Sequence, residues 1–158
     1  MSRAELSAEL TEQVREQQIA YDRFHDAVAA YLGINRTDLR CLDLIDLRGK
    51  QTPGEISQVT GLTTGAVTAM LDRLERAGYI QRARDSSDRR RVLVELTDLA
   101  RKRGAEVYQP FATQAGPMFA RFNDDQLATL RDFVRIGNEF YAEQIARVEA
   151  LARDTYDH

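Results

Sequence analysis

Tryptophan is absent from this sequence, cysteine occurs once, histidine twice and proline three times. A lone cysteine, Cys41, cannot close an internal disulfide, which fits a reducing compartment. His25, His158 and Cys41 are the whole stock of nitrogen and sulfur ligands, too sparse for a structural zinc, so neither metal nor cofactor is expected. No apolar run approaches the roughly 18 residues of a membrane span. The opening MSRAELSAEL carries no apolar signal core, so a cytoplasmic location with no membrane partner is expected. A nucleophile elbow, P-loop, dinucleotide fingerprint and HExxH motif are also missing, and no enzyme class is suggested.

What is present is an ordinary globular composition, 43% hydrophobic and 30% charged over 158 residues. That is enough chain for one domain, or a small domain with attached helices, to bury a core. The net charge of −3 argues against nucleic acid, but its distribution does not. From Arg36 to Thr97 there are 11 basic and 9 acidic residues; the rest of the chain has 11 basic and 16 acidic. Within Arg73–Arg91 seven arginines face only Glu75, Asp85 and Asp88. A basic patch on an acidic chain is the footprint that matters for a polyanionic partner.

Hydrophobic spacing orders the chain. Leu6, Leu10, Val14, Tyr21, Phe24, Val28 and Tyr31 recur at helical steps and stop at Gly33. Asn35 caps a second helix with Leu39, Leu42 and Ile45 inward and Gly49 as its stop. Thr52-Pro53-Gly54-Glu55 is a capping box with proline at the first helical position, and it opens a short helix whose apolar face is Ile56 and Val59. After Gly61, Thr63 caps a fourth helix, with Val67, Met70, Leu71 and Leu74 inward. Residues 79–83 and 92–96 alternate as paired strands. Thr97-Asp98 starts a further helix, interrupted at Pro110 and again at Gly116-Pro117, and Asn123–Gln126 opens a long last one.

Two short helices joined by a tight glycine-containing turn and followed by a hairpin make a winged helix-turn-helix. The expected fold is therefore mainly α, an α+β winged helix between long terminal helices, with segments 1–33, 34–97 and 98–158. On the fourth helix, Thr63, Thr64, Gly65, Ala66 and Thr68 are left over once the buried face is assigned. They are small and rich in hydroxyls, suited to base edges and phosphates in a major groove. Gly65 costs about 1 kcal/mol of helix stability relative to alanine, and close backbone approach to DNA is one return. In RDSSDRRRVLV the arginines are either a solvated turn or a contact for something anionic. A phosphate backbone releases counterions on binding them, and a narrow minor groove attracts inserted arginine.

The stretch LTTGAVTAMLDRLERAGYIQRARDSSDRRRVLVELT resembles the multiple antibiotic resistance regulator (MarR) family of bacterial winged-helix transcription factors. The likeness is carried by DRLERAGYI and by Asp88-x-Arg90 followed by Leu96-Thr97. It implies a homodimer on a pseudo-palindromic double-stranded operator, with DNA contacts from Thr52, Thr63, Thr64, Gly65, Ala66, Thr68, Arg73, Arg84, Arg89, Arg90 and Arg91. Arg90 would enter the minor groove, Arg73 would face the backbone or major groove, and Asp72 and Asp88 would brace the arginines. Ala69 stands where many members carry a basic residue, and Gly65 where serine or proline is common.

Leu127, Val134, Tyr141 and Val148 recur every seven residues on the last helix, with Leu130, Gly137, Ile145 and Leu151 on the next track. Such a stripe needs a partner, either the first helix or a second copy. Leu6, Leu10, Leu130, Val134, Tyr141, Ile145 and Val148 are accordingly expected at a dimer contact. The resemblance also implies a repressor released by a small aromatic or phenolic effector, with Tyr21, Phe24, His25, Tyr31 and Cys41 as candidate pocket residues. Two alternatives stand beside this reading: a regulator switched by oxidation of Cys41, and a winged-helix protein-interaction module.

Overall fold

A computed structural model describes residues 1–84, 88 and 91–156. The element order is α1 Arg3–Leu32, α2 Arg36–Arg48, α3 Pro53–Thr60, α4 Thr64–Arg76, β1 Ile80–Arg84, β2 Val92–Leu96, α5 Asp98–Phe119 and α6 Asp124–Tyr156. The chain divides into two compact units, Met1–Gln109 and Pro110–His158. Among the described residues no helix is long and apolar enough to cross a membrane.

Helix boundaries in the first unit follow local chemistry. Ser2 and Glu5 close a capping box on α1, whose C-terminus ends on Gly33 at φ 68°. Asn35 accepts from the Asp38 N–H to start α2. Thr52 and Glu55 bond reciprocally at the start of α3, and Gly61 ends that helix at φ 69°. Only Gly61, Leu62 and Thr63 separate α3 from α4, and glycine makes so tight a turn possible without a Cβ penalty.

The core lies where α2, α3, α4 and the hairpin meet. Ile56, Val67, Met70, Leu71, Leu74, Ile80 and Val94 are each at most 2% exposed. Burying side chains of this size contributes about 1.5–3 kcal/mol apiece. A second cluster joins Val28 and Ala29 of α1 to Leu39 of α2, with Phe24, Val107 and Tyr108 packed against it. β1 and β2 are antiparallel, with Ile80 opposite Leu96 and Arg84 opposite Val92. Gln51 adds a bridge on the other side of β2: its N–H donates to the Val94 carbonyl (3.1 Å), and its carbonyl accepts from the Val94 N–H at 2.7 Å. The loop before α3 is thus stitched to the hairpin.

Three expectations need correction. Val59 is 44% exposed, so α3 is anchored through Ile56 alone. β1 begins at Ile80, because the Tyr79 N–H is spent on the turn after α4, donating to the Leu74 carbonyl at 3.0 Å. α5 is not interrupted at Pro110 or at Gly116-Pro117; it runs to Phe119 with both prolines inside. Each proline removes one i to i−4 bond, leaving the Glu106 and Thr113 carbonyls without that donor. Both residues are exposed, so water can take the donor's place.

The second unit holds the end of α5 and the 33-residue α6. Asn123 and Gln126 exchange bonds of 2.9 Å at the start of α6, the expected capping arrangement.

Candidate nucleic-acid interface

The geometry of α4 separates its two faces. Val67, Met70, Leu71 and Leu74 are buried, while Thr63, Thr64, Gly65, Ala66, Thr68 and Ala69 are all exposed. The Thr63 hydroxyl accepts from the Ala66 N–H at 3.3 Å, and the first helical bond is from Val67 to the Thr63 carbonyl. The N–H groups of Thr64 and Gly65 precede that bond and point out of the helix start. The Thr68 hydroxyl donates to the Thr64 carbonyl at 2.9 Å, which leaves its lone pairs outward. A Cβ built on Gly65 would meet no atom within 4 Å. The N-terminal end of α4 is therefore a small, hydroxyl-bearing, donor-rich surface with the positive end of the helix dipole behind it.

Several charged residues hold this helix in place. The Arg73 guanidinium grips Asp38 with bonds of 2.6 and 3.3 Å, tying α4 to the first turn of α2. The Asp38 side chain is nearly fully buried and that of Arg73 is about half exposed. The hydrogen bond to Asp38 raises the Arg73 pKa first, and the Asp38 charge adds to it. Arg73, expected to meet DNA, is thus paired with Asp38 while its side chain stays half exposed. Asp72 pairs with Arg82 on β1 at 2.6 Å, an arginine outside the candidate DNA contacts, and Glu75 pairs with the same guanidinium.

At the hairpin, Arg84 is exposed at the end of β1 and Arg91 precedes β2. The Arg91 N–H donates to the Asp88 carbonyl at 2.9 Å, and its guanidinium stands 3.5 Å from Glu55. Thr52, also expected at DNA, keeps its hydroxyl on Glu55 at 2.9 Å. The Glu55 carboxyl is lowered mainly by the bonds from Thr52. Arg89 and Arg90 lie outside the described residues. Sequence reasoning missed Asp38, Arg82 and Gln51, whose partners lie 35, 10 and 43 residues away, beyond any local pattern.

Of the candidate effector residues, Tyr21 lines an open cavity of about 360 Å³ with Gln17, Gln18 and Asp22. The His25 ring lies tilted against Tyr21, centroids 3.9 Å apart, and edge-on to Phe24 at 5.4 Å, and His25 Nδ1 sits 2.9 Å from the Tyr21 carbonyl. Tyr31 donates to Glu106 and accepts from Arg103, joining α1 to α5. Cys41 is fully buried, and burial, with the Asp38 charge behind it, pushes its thiol up to about 12. A protonated thiol shut away from solvent is a poor partner for peroxide. A cavity of about 430 Å³ does open in this unit, between α2, the Tyr79 turn and α5, and none of those five residues lines it.

In the second unit, Leu130, Val134, Tyr141, Ile145 and Val148 of α6 are 41–58% exposed; Leu6 and Leu10 of α1 are similarly open.

Comparison with known proteins places these features. The MarR family model matches residues 34–92. An uncharacterised HTH-type transcriptional regulator of Bacillus subtilis, YcgE, is 32% identical over 148 residues, covering 94% of this chain and 96% of that protein. A MarR family protein from Bacillus stearothermophilus superposes with a TM-score of 0.66 at 20% identity, covering 90% of this chain and 99% of the other. A mutant MarR from E. coli complexed with operator DNA superposes with a TM-score of 0.54 at 24% identity, covering 85% and 97%.

Proposed function

Because this chain belongs to the MarR family of DNA-binding transcriptional regulators, we propose that it is a homodimeric repressor released from its operator by a small aromatic effector. The observation that carries the DNA half is the N-terminal end of α4, where Thr64, Gly65, Ala66 and Thr68 are exposed, small and backed by a fully buried opposite face. Those residues would read base edges from the major groove. The arginine-rich hairpin would lie on the flanking backbone, with Arg90, by resemblance, in the minor groove. Arg73 is better assigned to holding α4 on α2 than to DNA, since drawing it toward a phosphate would strand the buried Asp38.

Dimerisation is supported by the open apolar stripe on α6 and by Leu6 and Leu10 on α1. An apolar row of that length is unfavourable in water and is satisfied by a second copy. Two reading heads related by a twofold axis would then match half-sites about 34 Å apart. An effector would act by binding more tightly to a dimer whose α4 helices are wrongly spaced for the operator.

Gel shifts with the intergenic fragment beside its own coding sequence test this reading. Arg90→Ala is expected to weaken binding and to lower the salt slope by about one unit. Thr64 and Thr68 substitutions are expected to change sequence preference more than affinity for random DNA. Equal losses on specific and random DNA would remove α4 from base recognition.

A further inference from the structure

Which base pairs α4 reads is decided by what its open face lacks. No guanidinium, ammonium or carboxamide stands among Thr63, Thr64, Gly65, Ala66, Thr68 and Ala69. In the major groove guanine is recognised by paired donors from arginine or lysine, and adenine by the two-way amide of asparagine or glutamine. The start of α4 offers neither device. The arginines farther along are held by the protein itself. Arg73 is bonded to Asp38 at 2.6 and 3.3 Å, and Arg76 Nε donates to the Asp72 carbonyl at 3.1 Å.

Methyl carbon and oxygen lone pairs are what remain. The Thr68 hydroxyl spends its proton on the Thr64 carbonyl at 2.9 Å, so toward a groove it can only accept, and its γ-methyl is left for packing. The Thr63 oxygen is used as the helix cap, accepting from the Ala66 N–H at 3.3 Å. The free N–H groups of Thr64 and Gly65 run along the helix axis and suit a phosphate rather than a base. Gly65, Thr68 and Ala69 are three and four residues apart and so share one face, turned away from the buried Val67, Met70 and Leu71. With no side chain at Gly65, and nothing within 4 Å of where its Cβ would lie, the backbone there can come close to a groove floor. That approach would carry the Thr68 and Ala69 methyls to the base edges. Thymine presents a C5-methyl in the major groove, and its partner adenine presents the N6 donor. Cytosine also offers a donor, but it has no methyl to bury. Guanine offers acceptors only, which an accepting hydroxyl cannot satisfy.

We infer that α4 selects thymine by its C5-methyl group, packed against Ala69 and the Thr68 γ-methyl, with adenine N6 donating to the Thr68 hydroxyl. The inference rests on the operator binding proposed above and names what that site reads. Fluorescence anisotropy with the intergenic duplex beside the coding sequence tests it, using three versions made by polymerase extension. One is unmodified, one carries uracil throughout in place of thymine, and one carries 7-deazaguanine in place of guanine. Uracil pairs as thymine does and lacks only the methyl; 7-deazaguanine lacks the N7 acceptor. The uracil duplex is expected to bind about fourfold more weakly per buried methyl, or about fifteenfold over two half-sites. The 7-deazaguanine duplex should bind within about twofold of the unmodified one, and random duplex should be bound alike with thymine or uracil. Thr68→Ser keeps the hydroxyl and removes the methyl, and Ala69→Gly removes the other methyl. Each should lower the thymine-over-uracil ratio, and the double variant should bring it near unity. Because the ratio is taken on one protein, a loosened helix alone would leave it unchanged. Specific binding indifferent to uracil, an equal uracil effect on random duplex, a larger effect of 7-deazaguanine, or a ratio unchanged in the double variant would each overturn the inference and leave operator binding standing. An unmodified fragment bound no better than random duplex would overturn both.

Discussion

Replacing Gly65 with alanine should make the protein more stable and a worse DNA binder at once. Gly65 is the second residue of α4, helical in conformation and not among the glycines with positive φ. A Cβ there would touch nothing within 4 Å, so the substitution introduces no clash in the free protein. Alanine restricts the unfolded chain and favours the helix, a gain of about 0.5–1 kcal/mol. For a chain of this length that corresponds to a rise in Tm of roughly 1–4 °C. If Gly65 is glycine so that DNA can approach the backbone, the same methyl costs about 1–3 kcal/mol in the complex. That is about a fivefold to hundredfold loss of operator affinity. Thermal melts and fluorescence anisotropy on one preparation give both numbers. Gly61→Ala is the internal contrast. Its φ of 69° lies in the left-handed region, so the identical chemical change should cost about 1–2 kcal/mol of stability. A lower Tm for Gly65→Ala, or a higher one with unchanged operator affinity, would refute the reasoning.

Leu74→Ala, at a position with no exposed surface in the core under α4, should cost about 2–5 kcal/mol, measured by urea unfolding. Cys41 should resist alkylation by iodoacetamide at pH 8 until the chain is unfolded, and DNA binding by wild type and Cys41→Ser should respond identically to peroxide; a peroxide effect lost in the serine variant would restore the redox alternative. Asp43 has a folded-state pKa raised above its unfolded value, so the folded chain holds that proton more strongly. The stability it contributes is full below the unfolded value and lost as pH rises through the folded one. Asp43→Asn should therefore raise Tm at neutral pH, with the gain shrinking as the buffer becomes acidic.

What the sequence made legible is what rests on neighbours within a few residues. Thr52 with Glu55, Thr63 with Ala66 and Asn123 with Gln126 are contacts three residues apart, and each cap stands where its motif predicts. The division of α4 into a buried and an open face follows from helical period alone. Val59 obeys the same period, yet α3 has only two turns and leans on the core through one of them. Pro110 and Pro117 were strong local reasons to stop a helix, yet α5 carries both in its interior. The Asp38–Arg73 grip, the Gln51–Val94 bridge and the cavity beneath Tyr108 are assembled from distant segments. No spacing rule could have brought them together. Among the candidate DNA contacts, the α4 residues fell where period put them, whereas Arg73 was diverted by a partner that only the fold supplies.

Sedimentation velocity of the full chain with a labelled duplex from upstream of its own coding sequence tests the central claim most directly. The account predicts a complex of two chains per duplex at modest ionic strength, displaced by added salt and resistant to random competitor DNA. Free duplex at micromolar protein, or a single chain bound with no preference over competitor, would contradict it.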